Sequence, residues 1–114
     1  MPERREAIDV QVEGSRVKAA VSGDFDMQAT FSVEPALEDA LDRPDLDALE
    51  IDLSRLRFID STGIGVLLRV EEQARTRGVA LSIVPAPPRV QRVFEVSGVG
   101  DALPFAPLDL DDDR

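Results

Sequence analysis

Cysteine and histidine are both missing from this sequence of 114 residues. Without cysteine the chain can form no disulfide and use no thiolate, and without histidine it lacks the imidazole found in most zinc sites and general bases. These absences exclude most familiar hydrolase mechanisms. We therefore expect a protein that is not an enzyme and that holds no cofactor and no metal.

Long apolar runs and an excess of positive charge are also missing. No segment approaches the ~20 apolar residues of a membrane span, and the first residues lack the apolar stretch of a secretory signal. The formal net charge of −10 would repel nucleic-acid phosphates and anionic lipids. We expect a cytoplasmic protein whose partners are other proteins, with no nucleic acid and no membrane among them.

The length fits one domain with a single hydrophobic core. We place this domain at residues 7–106 and expect flexible termini at residues 1–6 and 107–114. The acidic run near the C-terminus is typical of a solvated end and receives no function.

Alternating apolar and polar residues predict the strands. Two early segments, 8–12 and 17–21, are joined by Gly14-Ser15 and form a β-hairpin. A strand at 49–53 continues into an apolar run at 56–59, which is typical of a central strand. A fourth strand follows at 79–83, and residues 103–105 add a short last strand.

Three helices alternate with these strands. The first is predicted at 32–41, with Ser32 as its N-cap and Pro35 in its first turn. The second covers 62–77 and ends at Gly78, and the third begins at Pro87-Pro88. The order β-β-α-β-α-β-α predicts an α/β fold with a small mixed sheet of four to five strands and three to four helices.

The most informative segment is 58–65, where an apolar strand passes through Asp60-Ser61-Thr62 into the second helix. Asp60 or Ser61 is suited to cap this helix, an effect of about 1 kcal/mol. Gly63 and Gly65 each cost roughly 1 kcal/mol relative to alanine inside a helix. Their presence indicates that a docking protein approaches this turn closely.

Asp24 and Asp26 end the second strand, and in a sheet of this order they could lie beside the turn at Asp60 and Ser61. Two other interpretations stay open. The two aspartates could simply form a turn or cap the element that follows. They could also hold Mg²⁺ together with Asp60 for phosphoryl chemistry, although no phosphate-binding loop accompanies them.

Three separated segments, 22–26, 58–65 and 88–99, resemble the STAS family of anti-sigma factor antagonists, in the right order and over nearly the whole chain. The resemblance implies the STAS fold and a phosphorylation site at Ser61, with Thr62 as the fallback acceptor. It implies that the unmodified protein binds an anti-sigma factor serine kinase with a histidine-kinase-like ATP fold and so frees the sigma factor. A metal-dependent serine phosphatase would reverse the modification.

The expected partner-binding surface contains the acidic and small residues of the two loops and two valines of the second helix. Val66 and Val70 form either an exposed docking patch or part of a broadly buried helix. The surface consists of Asp24, Asp26, Asp60, Ser61, Thr62, Gly63, Gly65, Val66 and Val70.

Another function is open within the same fold: a STAS subunit of a stress-signalling scaffold or lipid-transport complex without this phosphorylation cycle.

Overall fold

Five strands form one sheet in the part of the chain that the computed structural model describes, residues 3–5 and 7–107. They lie side by side in sequence order. The first three strands pair antiparallel, and the last three pair parallel, so the predicted mixed sheet is confirmed. The strands are β1 (Glu3–Arg5), β2 (Ile8–Glu13), β3 (Arg16–Phe25), β4 (Ala48–Ile59) and β5 (Ala80–Val84).

The described residues also form three α-helices, α1 (Met27–Leu41), α2 (Ser61–Arg77) and α3 (Pro88–Val96). The predicted element order is confirmed, with β1 as an additional strand at its start. A short 3-10 turn at Gly100–Ala102 precedes Phe105, which forms a single bridge to Ile83 instead of the predicted short strand. No helix among the described residues has the length and apolarity needed to cross a membrane.

The termini differ in part from the prediction. Glu3–Arg5 pairs antiparallel with β2, so part of the segment 1–6 forms a strand, and the flexibility of this segment stays a prediction. The structure does not describe residues 1, 2, 6 and 108–114. Most of the C-terminal segment that we predicted to be flexible, residues 107–114, therefore lies outside the described residues.

The predicted start of α1 is wrong, because the helix begins at Met27 and not after Ser32. The Asp26 carboxylate accepts a hydrogen bond from the Ala29 backbone N–H at 3.0 Å and caps the helix. Pro35 therefore lies inside the helix and not in its first turn. The predicted apolar face is confirmed, since the buried residues of α1 are Val33, Ala36, Leu37, Ala40 and Leu41.

Two ion pairs connect α1 and its C-cap residue Asp42 to α2. Arg69 Nε donates to Glu34 Oε2 at 2.9 Å, and Arg77 Nη1 donates to Asp42 Oδ1 at 2.7 Å. Both pairs span 35 residues of sequence, so the two helices run parallel, with each α1 residue about level with the α2 residue 35 positions later. Both helices begin at the carboxyl ends of the neighbouring parallel strands β3 and β4.

β4 contains two irregularities in its pairing with β3. The register moves from Ala20↔Asp52 to Ser22↔Arg55 and from Gly23↔Leu56 to Asp24↔Phe58. Each step adds one residue to β4, as in a β-bulge. The inward alternation of Leu49, Ile51 and Leu53 is therefore interrupted, and Phe58 is 49% exposed although it continues an apolar run.

Candidate functional site

The two acidic loops meet at one edge of the sheet. Phe25 and Ile59 are paired across β3 and β4, and the Asp60 backbone N–H donates to the Phe25 carbonyl oxygen at 3.3 Å. Asp26 and Asp60, the next residues along each strand, therefore lie at the same edge and begin α1 and α2. The structure thus brings the backbones of the two predicted segments together.

Asp60 is the N-cap of α2 and a hub of hydrogen bonds. Its Oδ1 accepts from the Thr62 hydroxyl at 2.7 Å, from the Thr62 backbone N–H at 2.9 Å and from the Gly63 backbone N–H at 3.2 Å. The hydrogen bond from the Thr62 side chain is the largest cause of a lowered pKa at Asp60, and it outweighs the opposing effect of partial burial. Asp60 is therefore a fixed negative charge beside Ser61 at neutral pH.

The two hydroxyls at this turn have different environments. Ser61 is the first residue of α2 and is exposed, and the cap is made by Asp60 without the Ser61 hydroxyl. Thr62 is half-buried, and its hydroxyl is held by the Asp60 carboxylate. Of the two candidate acceptors, Ser61 is thus the accessible one.

The two early glycines of α2 differ in whether the fold requires a glycine at their position. A Cβ at Gly63 would lie 2.6 Å from the Phe25 carbonyl oxygen and 2.9 Å from Ile59 Cγ1. Gly63 is buried, so the prediction that it provides room for a partner is wrong, because the fold itself requires a glycine there. At Gly65 the nearest atom to such a Cβ is Arg69 Nη1 at 3.4 Å, the end of a flexible side chain. Internal packing in the described part of the chain therefore does not require Gly65.

Val66 and Val70 belong to the core. Their side chains are 0% and 1% exposed, so the exposed docking patch that we considered is wrong and the broadly buried helix is confirmed. The physical reason is that α2 packs against both the sheet and α1, and it therefore buries more than one side. Ile64 and Leu67 are buried as well.

The three acidic residues are engaged separately. Asp26 caps α1, Asp60 caps α2, and Asp24 Oδ1 lies 3.9 Å from Arg57 Nη2 in an exposed ion pair. Among residues 3–5 and 7–107, no group of three acidic side chains is arranged to hold a metal ion. The structure thus does not bring Asp24, Asp26 and Asp60 together as one set of ligands, and the capping interpretation of Asp26 is confirmed.

A family model described as "Mlab, STAS domain" matches residues 8–107, which include the whole site. The chain belongs to the STAS-domain family. The matched residues contain β2 to β5 and all three helices.

Among curated relatives, this STAS domain is 31% identical over 83 residues to the anti-sigma-B factor antagonist of Listeria monocytogenes, covering 73% of this chain and 72% of the relative. The crystal structure of an anti-sigma factor antagonist from Mycobacterium paratuberculosis is 25% identical, with a TM-score of 0.77 over 91% of this chain and 87% of the other. The phosphorylated form of the Bacillus cell fate determinant SpoIIAA shares the fold at 22% identity, with a TM-score of 0.67 over 95% of this chain and 98% of the other. The STAS domain is thus a member of the family of anti-sigma factor antagonists.

Sequence reasoning missed three exposed apolar residues near this edge, Met27, Phe31 and Phe58. Met27 and Phe31 are separated by one helical turn, and this spacing is a signal for a shared face. The signal was hidden because the first helix was expected to begin after both residues.

Proposed function

We propose that this STAS domain is a cytoplasmic anti-sigma factor antagonist whose partner is an anti-sigma factor serine kinase. In the unmodified form it binds the kinase and so frees the sigma factor. Phosphorylation of Ser61 by that kinase ends the binding, and a metal-dependent serine phosphatase restores it. The observation that carries this proposal is the exposed hydroxyl of Ser61 directly after the Asp60 cap.

The hydrogen bonds of α2 support Ser61 as the acceptor over Thr62. A kinase must bring the acceptor oxygen into line with the γ-phosphate of ATP, so the hydroxyl has to be free to enter the kinase site. The Thr62 hydroxyl would first have to leave the Asp60 carboxylate, which it contacts at 2.7 Å. Moving Thr62 would also weaken the cap of α2, whereas moving the Ser61 side chain would not.

The N–H groups at the start of α2 determine where a phosphate on Ser61 would lie. Asp60 Oδ1 accepts from Thr62 and Gly63, and the Ile64 N–H donates to the Asp60 carbonyl oxygen. These donors are already occupied, so the phosphate stays on the surface with its charge facing the partner. The helix keeps its cap, and the fold survives the modification.

Electrostatics then explains the release. A phosphoserine adds nearly two negative charges at neutral pH, next to the ionised Asp60. Burying this cluster of like charges at the centre of a protein interface is costly, because the charges lose their hydration. The SpoIIAA structures show that one protein with the same fold exists in both an unphosphorylated and a phosphorylated form.

The test compares three variants with the unmodified chain in kinase-binding titrations and in phosphosite mapping after incubation with kinase and ATP. We expect Ser61→Ala to bind like the unmodified chain and to accept no phosphate. We expect Ser61→Asp to bind at least about tenfold more weakly, because the added charge opposes docking. Thr62→Val is the matched control and should still be phosphorylated at Ser61.

Stability measurements keep this test free of folding artefacts. Ser61 is exposed and does not cap α2, so both Ser61 variants should unfold within about 0.5 kcal/mol of the parent. Modification of Thr62 alone would move the switch by one residue. Kinase binding by Ser61→Asp that equals that of the parent would contradict the proposal.

A second candidate is a STAS subunit of a stress-signalling scaffold or lipid-transport complex without this phosphorylation cycle. The family model that matches this chain is named for Mlab and not for an anti-sigma factor antagonist, which favours including this candidate in the test. Capture of partners from cells with tagged protein, followed by mass spectrometry, separates the two functions. Recovery of membrane-transport components without any kinase would support the second candidate and contradict the first.

A further inference from the structure

Large apolar side chains are exposed at four positions in the described part of the chain. Three of them, Met27, Phe31 and Phe58, lie in the elements that meet at the Ser61 edge of the sheet. The fourth, Val96, lies at the end of α3. Single exposed apolar residues are common, whereas a concentration of large ones marks an interaction surface.

Met27 and Phe31 share one side of α1. They are 64% and 78% exposed and are separated by four positions, so their side chains are neighbours on the helix surface. The core is packed by the other side of α1, which includes Val33 and Leu37. The packing of this chain therefore gives no reason for a methionine and a phenylalanine at these positions.

This apolar pair lies beside the proposed phosphorylation site. The offset of 35 residues between α1 and α2 puts Met27 about level with Thr62 and Phe31 about level with Val66. Gly65 lies next to Arg69, which reaches across to Glu34 of α1. The exposed surface therefore runs from Ser61 and Gly65 on α2 to the apolar pair on α1.

We propose that Met27 and Phe31 form an apolar anchor that enters a pocket on the anti-sigma factor kinase. This inference rests on the proposed function and adds a second contact region to the Ser61 surface. Aromatic and other large apolar side chains that fill a partner's pocket contribute much of the affinity of an interface. The anchor thus supplies affinity, and Ser61 supplies the switch.

The negative charge of α1 indicates which chemistry the partner's pocket should have. It also favours a kinase over a second copy of the chain as the partner. α1 contains the acidic residues Glu34, Glu38 and Asp39 and no lysine or arginine, and one of these charges, that of Glu34, is paired with Arg69 of α2. Two copies of α1 packed against each other would place acidic residues opposite acidic residues, which opposes association. A partner with an apolar pocket and a basic rim complements both the anchor and its flanking charges.

The experiment uses titration calorimetry to measure how tightly the unphosphorylated STAS domain binds the kinase. The test variant is the double variant Met27→Ser/Phe31→Ser. Val96→Ser is the matched control, because Val96 is as exposed as Phe31, at 78%, but lies on α3. We expect the double variant to bind about tenfold or more weakly and the control to bind within about twofold of the parent. Thermal unfolding should be the same for both variants, because all three side chains are exposed.

Three results overturn the anchor, and they differ in what they say about the proposed function. If the double variant binds like the parent while Ser61→Asp loses affinity, the anchor is wrong and the Ser61 switch stands. If the parent itself binds no kinase, the proposed function is wrong and the anchor falls with it. If sedimentation shows a dimer of the parent that the double variant abolishes, the apolar pair binds a second copy of the chain.

Discussion

The starts of α1 and α2 have nearly the same backbone but different chemistry. Each begins at the carboxyl end of one of two adjacent parallel strands, and each is capped by an aspartate in extended conformation. The φ and ψ angles are −112° and −170° at Asp26 and −117° and −173° at Asp60. The aspartates are thus explained by helix capping, and the residues that follow them distinguish the two sites.

The first residue after the cap is apolar on one helix and polar on the other. Asp26 is followed by Met27, and its carboxylate accepts one hydrogen bond, from the Ala29 backbone N–H. Asp60 is followed by Ser61 and accepts three hydrogen bonds from Thr62 and Gly63. The start of α1 therefore presents an apolar surface, whereas the start of α2 presents an exposed hydroxyl next to a cap with three hydrogen bonds.

The largest effect is expected from Gly63→Ala, which gives α2 the residue type that α1 has at Ala29. The new methyl group would lie 2.6 Å from the Phe25 carbonyl oxygen, so the helix start or the end of β3 must move. We expect a loss of about 2–4 kcal/mol in the free energy of unfolding, measured by urea denaturation.

Gly65→Ala is the control for that change, with the opposite sign. A methyl group at this position meets only the end of the Arg69 side chain, so we expect a gain of up to about 1 kcal/mol from helix propensity. Equal effects of the two substitutions would contradict the structural distinction between the glycines.

A smaller effect is expected from removing the caps. Asp60→Ala leaves two backbone N–H groups and the Thr62 hydroxyl without their acceptor, whereas Asp26→Ala affects the single hydrogen bond from Ala29 N–H. We expect losses of about 2 kcal/mol and about 1 kcal/mol, respectively, in thermal unfolding. A larger loss at Asp26 would show that the two caps are not ranked by their hydrogen bonds.

The smallest effect concerns pH. The pKa of Asp60 is lower in the folded chain than in the unfolded chain, so its contribution to stability is present above the unfolded pKa and is lost as the pH falls through the folded pKa. The difference in stability between the parent and Asp60→Asn should therefore be constant near neutral pH and should shrink below about pH 4. Unfolding curves between neutral and acidic pH would measure this difference.

Thr62→Val sharpens the pH experiment, because it removes the hydroxyl that contributes most to lowering the Asp60 pKa. In this background the Asp60 contribution should be lost at a higher pH than in the parent. A pH profile unchanged by Thr62→Val would mean that the hydroxyl does not stabilise the carboxylate.

Most of the element order was predictable from local signals. The alternation in the early hairpin, the Asp-Ser-Thr turn before α2 and Gly78 at the end of that helix each determine structure within a few residues. Gly78 has the left-handed conformation, with φ at 72°, that favours glycine at a helix end. The position of Ser61 at a helix start is a consequence of the same local rules.

The wrong predictions concern residues whose structure depends on contacts with distant parts of the chain. The end of β3 and the start of α1 share Asp26, and Pro35 suggested a helix start because proline usually stands in the first turn. Val66 and Val70 are buried because α1 covers a second side of α2, which depends on long-range packing. Gly63 is required by a carbonyl group of another strand, so its role could not be inferred from its own segment.

The two irregularities of β4 also determine which changes of length the second half of this strand can accept. The inward-facing residues of β4 have odd numbers up to Leu53, change to an even number at Leu56 and return to an odd number at Ile59. The second extra residue thus cancels the reversal caused by the first and restores Ile59 to the core. Each bulge holds one extra residue, so loss of one residue at 54 or 55, or at 57 or 58, would produce a regular alternating step and leave Leu56 and Ile59 facing inward. Related sequences can therefore differ by one residue at either bulge while Ile59 and the Asp60 turn keep their places at the edge of the sheet.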